Sequence, residues 1–159
     1  MSAWVEGKLD LRCSIDVLKK AIINIMPEWE KHLMVDEKGE IPMYRYNGQR
    51  EYNGSGGDKN VHIVIPGSGH PGVKTPPGRN AHNDWGFKRN EDGKWEVTYA
   101  DYGLYEAKDL ENKIKGEIAL MKAKAIAKIK GFEIVGQNEN EDEKYIDVKI
   151  NTNQYEQLI

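Results

Sequence analysis

Only two stretches of this chain repeat apolar residues at helical spacing, and the long segment between them alternates or turns. The first is Ile15, Leu18, Ile22 and Ile25, opened by the hydroxyl of Ser14 as N-cap with Asp16 in the first turn. It should stop at Met26, because Pro27 disfavours a helical residue before it. The second carries Leu110, Ile114, Ile118, Met121, Ala125 and Ile129 as one stripe. Its start holds Glu106, Asp109 and Glu111, its end holds Lys122, Lys124, Lys128 and Lys130, and Gly131 is placed to terminate it. Two helices this far apart cannot cover both faces of a parallel sheet, which needs a crossover between successive strands.

The rest reads as strands and hairpins. Residues 3–12 alternate, with Val5, Gly7, Leu9, Leu11 and Cys13 on one face and Trp4, Lys8, Asp10 and Arg12 on the other. A short hairpin turns at Asn47-Gly48, and Val61, Ile63 and Ile65 alternate against His62 and Val64. A second hairpin pairs 85–89 with 94–102 around an Asn-Glu-Asp-Gly turn, and a third joins 132–135 to 145–150. Strand, helix, several strands, helix, two strands is an α+β order. It predicts a mainly antiparallel sheet of hairpins with two helices packed on one face, and the leading topology is ferredoxin-like. Residues 1–150 are expected to form a single domain with a loop insertion at 54–83, followed by a flexible tail at 151–159.

Three of these stretches resemble a family of uncharacterised proteins first known as a hypothetical chloroplast reading frame, with cyanobacterial, other bacterial and phage members. They are residues 9–22, residues 85–102 with Gly86-Phe87-Lys88 ahead of an Asp-Gly turn, and the helix from Asn112 into Gly131-Phe132 with the hairpin that closes at Ile150. The aromatic residue that family members carry midway along that helix is replaced here by a segment, 119–123, whose largest side chain is Met121. The resemblance implies a fold and little chemistry, since no activity is established for the family.

Charge narrows the partners. Lys and Arg total 23 against 26 Asp and Glu, so 159 residues carry a net charge of −3. A pI near 5.9 provides no global basic field for duplex nucleic acid. No window approaches the ~20 apolar residues of a membrane span, and the first residues lack the basic start and apolar run of a signal peptide. With a single cysteine, Cys13, the chain cannot form an internal bridge, and a cytoplasmic setting is expected.

The candidate site lies where regular structure is least expected. Residues 66–79 hold four of the six prolines and a run of glycines, and they also hold His70, Lys74 and Arg79. Glycine lets backbone N–H groups approach an anion, and cationic side chains add charge-assisted donors. Gly67, Gly69 and Gly72 have dinucleotide-loop spacing, but Pro71 and the loop beyond deny them the helix N-terminus on which that motif depends. The segment is not a phosphate-binding Walker loop either. His62, His70 and His82 with Asp84 show spacings of eight and twelve that match no metal-ligand pattern, so neither a metal nor a cofactor is expected.

Ser55 and Ser68 lack a nucleophile elbow, Cys13 reads as a small core thiol, and Asp84 and Asp101 read as turn caps. Tyr44, Tyr46 and Tyr52 with Arg45 and Arg50 offer stacking and charge, although alternation puts Arg45 opposite the tyrosines. The lysines of the second helix read as a solvated face.

The expectation is a non-enzymatic binding module for an anionic small molecule such as a nucleotide, or for an acidic protein surface. Its ligand-binding set is Arg50, Gly67, Gly69, His70, Lys74, Arg79, His82 and Trp85. The alternative is a protein–protein adaptor or inhibitor that uses the aromatic loops and the tail, and self-association is compatible with either.

Overall fold

The computed structural model describes residues 4–45, 48–51, 57–79, 82–100, 104–139 and 144–149. Tyr46, Asn47, Tyr52, Ser55, Asp101 and the expected tail at 151–159 lie outside them. The elements are β1 (Trp4–Arg12), α1 (Ile15–Ile25), β2 (Met34–Val35), β3 (Ile41–Pro42), β4 (Asn60–Val61), β5 (Ile63–Ile65), β6 (Trp85–Arg89), β7 (Lys94–Ala100), α2 (Leu104–Ile129), β8 (Glu133–Glu139) and β9 (Lys144–Lys149). A 3-10 turn at Pro27–Trp29 follows α1.

The fold is α+β. Five strands form an antiparallel sheet in the order β1-β7-β6-β5-β2, and β3-β4 and β8-β9 are separate pairs. Every ladder among the described residues is antiparallel, in keeping with a sheet built of hairpins. Contacts divide the chain into two compact units, Met1–Glu111 and Asn112–Ile159, with the division inside α2.

In the first unit, local chemistry sets the helix as expected. Ser14 Oγ accepts from Val17 N–H at 3.2 Å, and the chain leaves the helix at Met26. Ile15, Leu18, Ala21 and Ile22 are its buried face. The β6–β7 hairpin forms in the register that the aromatic alternation requires, Phe87 opposite Val97 and Arg89 opposite Trp95.

Register sorts the sheet into two covered faces. Ile63, Phe87 and Val97 are cross-strand neighbours on one face, and Val64, Gly86 and Thr98 are neighbours on the other. The first face carries the large core side chains, each worth roughly 1.5–3 kcal/mol when an aliphatic or Phe side chain is fully buried. Trp95 is among them, and its indole N–H donates to the Cys13 carbonyl at 2.9 Å.

On the second face Ile41, Met43, Val61 and Val64 form a smaller cluster, with Met34 against it. The alternation at 61–65 implies one covered face, whereas Ile63, Val64 and Ile65 are all fully buried. The difference arises because β5 lies inside the sheet, between β6 and β2, and the 41–43 segment folds over its second face. Gly86 makes the room, since a Cβ there would stand 2.4 Å from Met43 Sδ.

His62, between β4 and β5, is a second departure from the plain alternation. Its Nδ1 accepts the Arg89 N–H at 3.2 Å, its ring meets Trp95 edge-on at 5.6 Å, and it fills the space above Gly39. Burial, followed by the charges of Arg89 and Lys88, holds the imidazole below its usual 6.5; the carboxylate of Asp36 works weakly the other way. Asp36 itself is held below the ordinary carboxylate range by the backbone N–H groups of Glu40 and then Lys38.

For a base whose folded value is depressed, the native state binds fewer protons than the unfolded chain. The stabilising contribution is therefore complete above 6.5 and is lost as pH falls through the lower folded value. Urea midpoints measured across that window should fall with acidification in the wild type, and the fall should be shallower in His62→Gln. Parallel curves would exclude His62 as a source of acid sensitivity.

In the second unit, α2 ends as its sequence predicts. Gly131 has φ 72°, its N–H donates to Lys128 O at 3.1 Å, and Phe132 N–H reaches back to Ala127 O at 2.8 Å. This is the paired hydrogen-bond pattern of a left-handed helix stop. The predicted stripe is only partly realised. Ile114 and Ile118 are buried, Met121 is half-buried, and Ala125 and Ile129 are exposed, while Leu120 and Ala127 are buried instead. β8 and β9 pair from Glu133 opposite Lys149 to Glu139 opposite Lys144, so both strands run further toward the turn than the apolar residues alone indicate. No helix among the described residues is long and apolar enough to cross a membrane.

Candidate functional site

The chain leaves β5 at Pro66 and returns to the sheet at Trp85, and a single carboxylate organises the segment between them. Asp84 is fully buried. Its Oδ1 accepts Gly67 N–H at 2.9 Å, and its Oδ2 accepts Tyr44 N–H at 2.9 Å and lies 2.6 Å from His70 Nδ1. Asp84 N–H in turn donates to the Tyr44 carbonyl at 3.1 Å. A carboxylate taken out of water at this depth must be hydrogen-bonded, and here three donors from two separate segments reach it.

The local sequence explains how those donors converge. His70 N–H bonds to Gly67 O at 3.1 Å and Gly69 N–H to His82 O at 3.0 Å, a tight turn that carries the His70 ring back toward Asp84. Position 67 admits only glycine, because a Cβ there would lie 2.3 Å from the His82 carbonyl oxygen. Tyr44 is delivered by the short hairpin around Gly48, where Arg45 N–H bonds to Gln49 O and Tyr44 bridges Arg50. Its ring then packs edge-on against His70 with centroids 4.7 Å apart.

This arrangement fixes the imidazole. Asp84 has only acceptors to offer, so His70 Nδ1 carries the proton of the 2.6 Å contact and Nε2 is the polar ring atom left for other work. Among the described residues, no side chain or backbone group hydrogen-bonds to that Nε2. His70, itself 6% exposed, lines an open depression of about 690 Å³ walled by Gly48 and residues 68–74. Lys74 is exposed in the wall, and Ser68 Oγ lies 2.5 Å from His82 Nδ1.

No family model, curated protein or solved structure matches this chain. The chemistry of the site therefore rests on its own residues.

The structure brings together half of the ligand-binding set read from the sequence. Gly69, His70 and Lys74 line the depression, and His82 stands behind it through Ser68. The other four residues have structural duties. Gly67 spends its N–H on Asp84. Arg79 is buried, with its guanidinium 4.3 Å over the Trp85 ring and Nη2 donating to the Asn83 carbonyl. Trp85 is covered by that guanidinium and faces Trp29 at 6.3 Å, so it offers no open ring to a ligand. Arg50 pairs with Asp58 at 2.8 Å and bonds Asn60.

The loop as a whole lies against the rest of its unit. Trp29 Nε1–H donates to Pro77 O at 2.9 Å, and His32 Nδ1–H to Lys74 O at 3.2 Å. The stacking set of the first hairpin is likewise occupied. Arg45 forms a two-point pair with buried Glu51, and the Arg50 guanidinium lies 5.6 Å from the Tyr44 ring centroid. Among the described residues, no group of three or more His, Cys, Asp or Glu is placed to hold a metal ion.

Ser68, Tyr44 and Asp84 belong to the site although none of them is in the ligand-binding set that the sequence predicts. The available signal was the pattern His70-x13-Asp84 across a turn-rich segment that returns to the same sheet.

Proposed function

We propose that this protein is a binding module for a small anionic molecule and that the ligand occupies the depression walled by Gly48 and residues 68–74. The observation that carries this reading is the combination of an exposed Lys74 with a buried, carboxylate-oriented His70 on one open, shallow surface. Lysine supplies a mobile point charge, and the imidazole supplies a directed nitrogen whose position costs no reordering when a ligand arrives. The glycines leave the wall low, so that backbone N–H groups can approach an anion closely.

Titration calorimetry with a panel of nucleotides, inorganic phosphate and dicarboxylates tests this. Wild-type protein should bind at least one anion, and Lys74→Ala should weaken that binding about tenfold with no change in fold by circular dichroism. Absence of heat for every anion in the panel would remove the reading.

A further inference from the structure

We infer that the group received by this depression is a terminal phosphate, with His70 Nε2 as a direct contact and with no part for a nucleobase; this rests on the anion-binding reading above. Two independent features of the unit lead there.

The first is the set of polar groups facing the depression. Its lining includes Lys74 and Ser68, whose ammonium and hydroxyl are single-point donors, and His70, whose Nε2 joins them as a donor only in the doubly protonated ring. The guanidiniums that would grip a planar carboxylate by two parallel hydrogen bonds are engaged elsewhere, Arg45 on Glu51, Arg50 on Asp58 and Arg79 over Trp85. Three separate donors suit a tetrahedral group with three terminal oxygens. Ser68 can serve in this way when His82 Nδ1 carries a proton, for His82 then donates into Ser68 Oγ and the hydroxyl hydrogen turns toward the depression. His70 Nε2 donates when the ring is doubly protonated, and its charge is then balanced by the Asp84 carboxylate at 2.6 Å.

The second feature is where the aromatic rings are. Stacking of a base needs an open π-face. Trp85 is 5% exposed with Arg79 over it, and Tyr44 has Arg50 near one face while meeting His70 edge-on. Among the described residues, the depression is lined by Gly48 and residues 68–74, none of them aromatic apart from the His70 imidazole. Whatever the phosphate is attached to extends into solvent.

The test uses the full chain labelled with 15N-histidine. Inorganic phosphate, ribose 5-phosphate, AMP and acetate are titrated in turn while the His70 Nε2 resonance is followed, and calorimetry gives the affinities. The expected result is that the three phosphates bind within about threefold of one another, that acetate binds at least about tenfold more weakly, and that His70 Nε2 shifts along the same saturation curve. Lys74→Ala should weaken all three phosphates alike.

AMP binding more than about tenfold tighter than ribose 5-phosphate would show that the base is read, and acetate binding as well as phosphate would remove the phosphate assignment. Phosphate binding with a stationary His70 Nε2 would overturn the contact while leaving the anion-binding reading intact. No binding by any of the four would overturn both.

Discussion

Asp84→Ala should destabilise the protein by about 3–5 kcal/mol, the range seen when one partner of a buried, hydrogen-bonded pair is removed. The size follows from what the carboxylate holds. Its loss strands the Gly67 and Tyr44 N–H groups and leaves the His70 imidazole, 6% exposed, without its acceptor. Asp84→Asn is the informative companion. The amide retains one oxygen acceptor for three donors, so it should recover part of the loss and no more. Urea denaturation midpoints for the two variants measure both values, and a loss below about 1 kcal/mol for Asp84→Ala would mean that the three segments are held together by something else.

Gly67→Ala should cost at least the 1–3 kcal/mol typical of overpacking. The added methyl meets backbone, with the His82 carbonyl oxygen at 2.3 Å, its carbon at 2.5 Å and the Asn83 oxygen at 2.6 Å, and none of these can swing aside as a side-chain tip can. Relief requires the turn at 67–70 to separate from 82–84, which also pulls Gly67 N–H from Asp84. Gly72→Ala provides the contrast, because a Cβ there has nothing within 4 Å and only the positive φ of 72° resists it. Thermal melts should rank the two variants in that order, and equal melting temperatures would refute the crowding argument.

The parts of the molecule legible in the sequence are those decided over a few residues. Ser14 caps α1, Pro27 bounds it, Gly131 stops α2, and the Asn90–Gly93 turn sets the β6–β7 register, because each depends on neighbours within one turn. The antiparallel character follows from the hairpins, and the α+β class from their order. What stayed hidden depends on partners far apart in the chain. Asp84 meets His70 across 14 residues and Tyr44 across 40, and an aspartate ahead of a strand carries no local sign of either.

Arg79 shows the same blindness from the other side. A cation in a glycine-rich loop reads as a ligand contact until the structure lays it over Trp85. Burial of Val64 was hidden because a two-sided strand and a one-sided one differ only in what else packs on them. His70 and Lys74 were legible as candidates, since residue type and loop composition were enough to name them, but not enough to say that one faces inward to a carboxylate and the other outward to solvent.

The surface around His70 is written in three installments, one near residue 44, one near 67–74 and one at 84, and a buried carboxylate binds them into a single object. A peptide excised from 66 to 79 would keep every glycine and cation yet lack the anchor that aims the imidazole. Grafting this recognition surface onto another scaffold therefore means transplanting the start of an interior strand, a hairpin and a bend in their mutual arrangement, because no continuous stretch of the chain contains it.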